Sequence, residues 1–346
     1  PFLDSNRAWI IMLFIYSSIA SLLPVWFLLQ PRDFINSHQL IVGLGLLFLG
    51  IFIAAPIVDA PAIRLTTEAG APPIFPMLFV TIACGAISGF HGLVASGTTS
   101  KQVNKLKDAR LIGYGGMIGE GILALASTLA AVAGIALVNQ CNIPSLGNIE
   151  NLNWAVYYDT WSHATTNKAT AFVLGGGALI EQLGISNNIA KTLMAVLVIS
   201  FAATTLDTAT RIQRFIISEI GDATKINFLN NRYLATTIAI VPAIILALWS
   251  VPDPITGEFK KAGWILWPIF GASNQMLAAL ILMILTIYFY KKGKNILLLL
   301  FPMLFVMSIA LISLCIKTQQ FLNQGNTLLL TISSILLVLI VWMIFE

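Results

Sequence analysis

The chain has 346 residues, of which 58% are hydrophobic and only 10% charged, and its formal net charge is +4. Soluble domains carry about 25% charged residues, so this composition excludes an ordinary water-soluble fold and indicates an all-α polytopic membrane protein. The basic residues stand in short segments between apolar spans, which argues against nucleic acid as a partner. Cys84, Cys141 and Cys315 show no CxxC spacing, so neither a metal site nor a disulfide framework is predicted, and no cofactor is expected.

Apolar segments of about 18 residues or more are long enough to cross a hydrocarbon layer about 30 Å thick. The segments that fit without complication are 8–29, 37–55, 113–138, 190–206, 233–251, 264–290, 296–316 and 327–345. The first residue is Pro1, and no signal-peptide pattern precedes the first span. We therefore expect residues 1–346 to form a single transmembrane domain that is part of a longer protein.

A further apolar segment, 74–96, has a centre that is poor helix material, from Gly85 through Ser88 to Gly89. Each glycine costs about 1 kcal/mol relative to alanine in a helix, so this segment is predicted to be a discontinuous helix. A half-helix that begins near Ser88 would direct free amides and its positive dipole end at an anion such as a carboxylate. The alternative is that Gly85 and Gly89 form a GxxxG packing face on an intact helix. If the break is a site, leucine at Gly89 is expected to block binding without unfolding the protein.

The apolar segment 169–186 contains three consecutive glycines, at 175–177, and Glu181. Loop charge decides whether it crosses, because basic loops lie on the cytoplasmic side. The basic segments are 97–112, 211–232 and 291–294. All three share one side, together with Arg32, only if 169–186 does not cross. We therefore predict about nine crossings, long outer loops at 56–73 and 139–168, and a re-entrant or external hairpin within 139–186.

Ionisable residues at membrane depth are costly and raise the question of function. His91 follows the predicted break, and its unperturbed pKa of about 6.5 suits proton exchange, although it could equally hydrogen-bond a neighbouring helix. Glu120 lies about two turns into its span, where a proton-coupled carrier could use it. Asp207 ends the apolar run and precedes Arg211 by one helical turn, a spacing that also permits an ordinary salt bridge.

Polar side chains inside the spans provide further candidates. Ser200, Thr204 and Thr205 fall on nearly one helical face, where their hydroxyls could coordinate a cation or bond back to carbonyls of their own helix. Asn274 and Gln275 are adjacent amides within an apolar span, and they are either links between helices or substrate contacts.

The glycines at 113–116 and Gly119 do not form a dinucleotide fingerprint, because they open an apolar helix that no strand precedes. Close helix packing through Gly115 and Gly119 is expected instead. The sequence also lacks a Walker lysine loop, a nucleophile elbow and a metal-binding histidine pair, so no enzymatic activity is predicted.

Several long motifs together resemble the carbon starvation protein A family. They are LPVWFLLQPRD at 23–33, FPMLFVTIACGAISGFH at 75–91, SGTTSK at 96–101, IGYGGMIGE at 112–120, TTLDTATR at 204–211 and LWPIFGASNQML at 266–277. The resemblance implies an inner-membrane uptake carrier for peptides or pyruvate, driven by an ion gradient and related to the amino acid, polyamine and organocation transporters.

That superfamily uses the leucine-transporter fold, in which two inverted repeats each contribute a discontinuous helix at mid-membrane. The resemblance implies that 74–96 is the discontinuous helix of the second repeat, that 139–186 is the external gate, and that 190–217 carries cation-binding hydroxyls. Family members also have an N-terminal region, with a Gly- and Pro-rich span, that has no counterpart here. The fold is therefore expected to be incomplete, and the chain alone is expected not to transport.

The resulting hypothesis is an ion-coupled symporter, driven by H⁺ or Na⁺, for peptides, pyruvate or amino acids. The predicted substrate-binding residues are Gly85, Ser88, Gly89, Phe90, His91, Asn274 and Gln275. The predicted residues for ion or proton coupling are Glu120, Ser200, Thr204, Thr205 and Asp207, with His91 as a further candidate proton carrier. The alternative is a membrane-embedded nutrient sensor or channel-like component without active transport.

Overall fold

A computed structural model describes residues 6–63, 73–143, 147–160, 164, 168–252 and 259–345. The long helices are α1 (Asn6–Leu22), α2 (Val25–Ala54), α3 (Ile74–Ala86), α4 (Gly89–Gly97), α5 (Asp108–Val132), α6 (Lys168–Glu181), α7 (Asn187–Thr224), α8 (Arg232–Leu248), α9 (Trp267–Lys291), α10 (Leu297–Asn323) and α11 (Thr327–Phe345). Single helical turns lie at Trp154–Tyr157 and Ala262–Ile265, and 3₁₀ turns at Thr99–Lys101, Gly134–Leu137 and Asn227–Asn230.

Two short antiparallel hairpins complete the described secondary structure. In the first, β1 (Gln140–Ile143) pairs with β2 (Gly147–Glu150). In the second, β3 (Ser250–Pro252) pairs with β4 (Phe259–Lys261). Each is too small to hold a core of its own, so the described part of the chain is a helical protein with two small connecting hairpins.

Six of these helices are long and apolar enough to cross a membrane, namely α2, α5, α7, α9, α10 and α11. Within them, between 11% and 39% of the most apolar window is buried inside the protein, so most of their aliphatic surface faces outward. Outward-facing aliphatic surface is what lipid requires. The chain is therefore a polytopic, mainly helical membrane protein. Helices α1, α6 and α8 are also apolar but shorter.

The first two spans differ from the prediction. The expected bounds 8–29 and 37–55 are wrong, because the chain breaks at Leu23 and Pro24 and then forms one 30-residue helix, α2. Proline has no N–H to donate and disfavours helical geometry in the preceding residue, so Pro24 separates α1 from α2. The charges that suggested a loop, Arg32 and Asp33, instead pair on the surface of α2 at 2.8 Å.

The basic segment 211–232, predicted to be cytoplasmic, is helical through its first half. Helix α7 has 38 residues, about 57 Å at 1.5 Å per residue, and continues to Thr224. Arg211 and Arg214 lie on this continuation and are 3% and 8% exposed. Buried guanidinium groups need partners within the protein, so these residues contribute to tertiary packing as well as to loop charge.

The chain divides into two compact units. Unit 1 comprises 1–22, 73–109 and 207–346, and unit 2 comprises 23–72 and 110–206. In unit 1, α9 packs on α10, α11, α3 and α4, and α1 packs on α8. Small side chains such as Ala272, Ala279 and Ala310 form the α9–α10 contact and allow the helix axes to approach closely.

Unit 2 is organised around α6, whose Gly175 and Gly177 let neighbouring backbones approach. A Cβ on Gly134 would lie 2.5 Å from the Gly175 carbonyl oxygen, and one on Gly177 would lie 3.3 Å from the Lys191 Cα. With 14 residues, α6 is about 21 Å long, less than the hydrocarbon thickness of about 30 Å. The length suits the predicted hairpin at 139–186, which stays a prediction.

The glycines at the start of α5 behave differently from the expectation. A Cβ added to Gly113, Gly115, Gly116 or Gly119 would meet no atom of the described residues within 4 Å. The prediction that Gly115 and Gly119 pack closely against another helix is therefore wrong for this part of the chain.

Candidate functional site

The predicted break in the segment 74–96 coincides with an interruption of the helix in unit 1. Helix α3 ends at Ala86, with Gly85 in its last turn, and α4 begins at Gly89. Ser88 between them is extended, with φ −112° and ψ 129°. The alternative of a GxxxG face on an intact helix is wrong, because helical geometry does not continue through Ile87 and Ser88.

The first turn of α4 is capped by a side chain from α9. The Phe90 N–H donates to Asn274 Oδ1 at 2.9 Å, and the Ser88 hydroxyl donates to the same oxygen at 3.2 Å. Ser88 is 9% exposed and Asn274 is 4% exposed. Three of the predicted substrate-binding residues thus meet at one oxygen, and one backbone donor freed by the break, the Phe90 N–H, has an acceptor within the protein.

Gly89 is the point at which α4 touches the backbone of α9. A Cβ at this position would lie 2.5 Å from the Asn274 carbonyl oxygen and 2.7 Å from the Ala278 backbone nitrogen, and it would collide with Leu277 Cβ. Backbone atoms cannot move aside as a flexible side chain can. Any side chain at Gly89 must therefore push α4 away from α9, and this geometry argues against the expectation that leucine there leaves the fold intact.

Two amides of α9 are buried with hydrogen-bonding capacity unused. Among the described residues, Asn274 Nδ2 has no hydrogen-bond partner, and neither Nε2 nor Oε1 of Gln275 has one, although Gln275 is 1% exposed. Through its Oδ1, Asn274 links α9 to α4, as the prediction of a link between helices requires. That role does not explain its Nδ2. His91, also predicted for this site, is exposed on the first turn of α4. Buried, unpaired amides are costly, and at this location they leave donors available to a ligand.

Asp207 lies in a buried polar cluster between α7 and α1. It is fully buried, and it accepts from the Tyr16 hydroxyl at 3.5 Å and from Thr208 Oγ1 at 3.4 Å. One turn later, Arg211 Nη2 donates to the Ala20 carbonyl at 2.5 Å. These contacts fix α1 against α7, and they place the predicted coupling carboxylate inside the protein rather than at an exposed membrane edge.

Sequence reasoning missed the α1 side of this cluster. Ser17 is fully buried and shares a 2.6 Å hydrogen bond with Thr210. The available signal was the polar group Tyr16–Ser17–Ser18 in the middle of an apolar helix, because polar residues at membrane depth need partners.

The hydroxyls predicted to hold a cation all donate to carbonyls of their own helix. Ser200 donates to the Leu197 carbonyl at 3.0 Å, and Thr204 and Thr205 donate to the Phe201 carbonyl at 2.8 and 3.0 Å. Ser200 also donates to Gln39 Oε1 of α2 at 3.2 Å. This is the pattern expected if the hydroxyls simply bond back to carbonyls of their own helix. The lone pairs of the hydroxyl oxygens are still free to bind a cation, so the cation-binding role stays a prediction. Glu120 is half-buried on α5 in unit 2.

A polar cavity of about 470 Å³ lies in unit 2, within the region predicted as the external gate. It is lined by Asn139, Gln140, Glu150, Asn151, Glu181 and Asn187. No residue of this lining belongs to the predicted site, and Glu181 accepts a hydrogen bond from Asn187 Nδ2 at 2.6 Å. Beneath the β1–β2 hairpin, burial raises the pKa of the Cys141 thiol, and burial with the neighbouring Tyr158 raises the pKa of Tyr157.

The chain matches the family model "Carbon starvation protein CstA" over residues 2–313. It is 32% identical to the peptide transporter CstA of Helicobacter pylori, over 84% of this chain and 46% of that protein. It is 33% identical to the peptide transporter CstA of Mycobacterium tuberculosis, over 82% and 42% of the two chains. The pyruvate/proton symporter BtsT of Escherichia coli is 32% identical, over 81% and 46%.

The chain thus spans about half the length of these curated relatives. No solved structure matches it. The family match covers most of the chain, including every motif from which the resemblance was predicted. The chain therefore belongs to the carbon starvation protein CstA family.

Proposed function

We propose that the protein is a secondary active carrier of the inner (plasma) membrane that takes up pyruvate-like carboxylates or peptides together with H⁺ or Na⁺. The chain would supply the C-terminal part of an incomplete leucine-transporter-like fold of about nine crossings, with the rest in a preceding region or a separate N-terminal half. The relatives named as peptide transporters and as a pyruvate/proton symporter support this class of function. The helix break before Gly89 is the observation that carries it.

The break supports binding of a carboxylate for an electrostatic reason. Irregular backbone at membrane depth is tolerated only where protein covers it or where it lines a cavity, and here it frees amides at the positive end of α4. The Phe90 N–H and the Ser88 hydroxyl already converge on one oxygen, which is the arrangement that one carboxylate oxygen would need. Pyruvate and every peptide with a free C-terminus offer such a group, so one site serves both classes of substrate.

For coupling, we propose that Glu120, Asp207 and His91 are the candidate proton carriers, and that Ser200, Thr204 and Thr205 are the candidate cation ligands. The complete burial of Asp207 supports its candidacy, because a carboxylate without contact to water responds strongly to a change in its neighbours. Exposure of the break to alternate sides of the membrane would then move substrate and ion together.

The test is uptake of labelled pyruvate and of a labelled dipeptide into cells that lack their own carriers. The chain is expressed alone and then with the family's N-terminal region restored. We expect accumulation above the external concentration only in the second case, and we expect an uncoupler to abolish it. Uptake by the chain alone would contradict the incomplete fold. Equilibration without accumulation, insensitive to the uncoupler, would support a channel-like component instead.

The coupling residues are tested by separating net uptake from exchange. In Glu120→Gln and Asp207→Asn, a carrier that has lost its proton step still exchanges internal for external pyruvate but no longer accumulates it. Asp33→Asn serves as the control, because Asp33 is exposed and pairs only with the adjacent Arg32. Equal loss of exchange and accumulation in both variants would remove these two carboxylates from the coupling step.

A further inference from the structure

We propose that the side-chain amide of Asn274 occupies the anion position at the start of α4, and that a substrate carboxylate displaces it on binding. This inference rests on the proposed function, because it concerns the same break. It adds an internal competitor, which controls whether the site is open.

The first observation is the identity of the atoms involved. Asn274 Oδ1 accepts from the Phe90 N–H at 2.9 Å and from the Ser88 hydroxyl at 3.2 Å. An incoming carboxylate oxygen needs the same donors, so amide and carboxylate cannot both use them. Bonds to an ionised acceptor are about twice as strong as bonds between neutral groups, and the dipole of α4 adds to this preference. The exchange therefore favours the anion once it is present.

The second observation is that the amide of Asn274 is only half satisfied. Its Nδ2 is buried without a hydrogen-bond partner in the part of the chain that the structure describes, and the residue is 4% exposed. Because Nδ2 belongs to the same planar group as Oδ1, it lies beside the first turn of α4. A carboxylate that replaces Oδ1 can accept from Nδ2 with its second oxygen once the amide turns. Asn274 thus closes the site when it is empty and contributes a donor when it is filled.

This arrangement predicts opposite effects for two substitutions at one position. Asn274→Ala removes the competitor, and the fraction of protein with an open site rises. Apparent affinity therefore rises by that factor, reduced by the loss of the one hydrogen bond that Nδ2 donates to the bound carboxylate. Asn274→Asp places a tethered carboxylate at the same point, with nearly the same shape, so the site is filled permanently. A residue that only linked helices would lower binding in both variants.

The experiment measures equilibrium binding of labelled pyruvate, and in parallel of labelled alanylalanine, to the native protein in lipid nanodiscs. We expect at least threefold tighter binding in Asn274→Ala and at least tenfold weaker binding in Asn274→Asp. Ser313→Ala is the matched control, because Ser313 is fully buried on α10, its hydroxyl has no partner among the described residues, and it lies outside the break. The control should bind as the unaltered protein does.

Hydrogen exchange of the peptide that contains Phe90 gives a readout that does not depend on substrate. Its exchange should be faster in Asn274→Ala and slower in Asn274→Asp. Weaker binding in both variants, with wild-type behaviour of Ser313→Ala, would overturn the competitor while leaving the carboxylate site in place. Unchanged binding in both variants, or no binding of either probe by the unaltered protein, would overturn the carboxylate site itself. If Asn274→Asp does not fold, the alanine variant and hydrogen exchange decide.

Discussion

Substitution of Gly89 by alanine should destabilise the protein through a single methyl group. Its Cβ would lie 2.5 Å from the Asn274 carbonyl oxygen, whereas ordinary van der Waals contact begins at 3.4 Å. Helix α4 must therefore move about 1 Å away from α9, which costs about 1–3 kcal/mol for overpacking and weakens the 2.9 Å bond from Phe90 to Asn274 by up to about 1 kcal/mol. Better helix propensity returns up to about 1 kcal/mol, so the net loss is about 2 kcal/mol.

In a thermal unfolding assay of purified protein, a loss of this size lowers the midpoint by about 3 °C for a chain of this length. Gly97→Ala on the same helix is the matched control, since the nearest atom to its Cβ is Ile212 Cγ1 at 4.0 Å. That variant should stay within about 0.5 kcal/mol of the unaltered protein. Equal midpoints for the two variants would refute the close approach of α4 to α9.

Three further predictions concern the rest of the chain. In a background without other cysteines, Val156→Cys should react with an impermeant maleimide in intact cells, while Lys294→Cys should react only after permeabilisation; the reverse pattern would invert the predicted topology. Because burial raises the pKa of the Cys141 thiol, alkylation of the folded protein should be slower than that of unfolded protein near pH 8, and the thiol's contribution to stability should be lost as pH rises through the raised pKa. Gly175→Ala should cost about 1–3 kcal/mol because its methyl would collide with a backbone carbonyl of α5, whereas Gly116→Ala, with nothing within 4 Å, should not lower the thermal midpoint.

The apolar spans and the family were predictable from the sequence because their signals are local. A run of aliphatic residues long enough to cross a bilayer is visible without any knowledge of partners. The exact ends were less predictable. Arg32 and Asp33 suggested a loop, but their mutual ion pair lets them stay on α2, and the proline that does end a helix lies eight residues before Arg32, at Pro24.

The partners of the polar candidates could not be predicted, because they depend on which helices meet. Asn274 is 184 residues from Phe90, and Asp207 is 191 residues from Tyr16. The sequence shows that each of these polar residues is unusual at membrane depth, but it does not show which groups form hydrogen bonds with them. The burial of Arg211 was missed for the same reason, since a basic residue near a span end is expected in a loop unless a neighbouring helix supplies an acceptor.

Glycine has two different roles in this chain, close packing within a helix and the start of a helix after a break. The polar groups around each glycine distinguish the two roles. Gly175 lies within the continuous helix α6, where the missing side chain lets another backbone approach. Gly89 also permits a close approach, but it follows an extended Ser88, and the donors exposed there are capped by the amide of Asn274. A packing glycine needs no such cap, because its helix satisfies its own amides. A buried amide on the facing helix, with one of its own groups left unpaired among the described residues, is therefore the feature that supports the proposal of a binding site at the break over a simple packing contact.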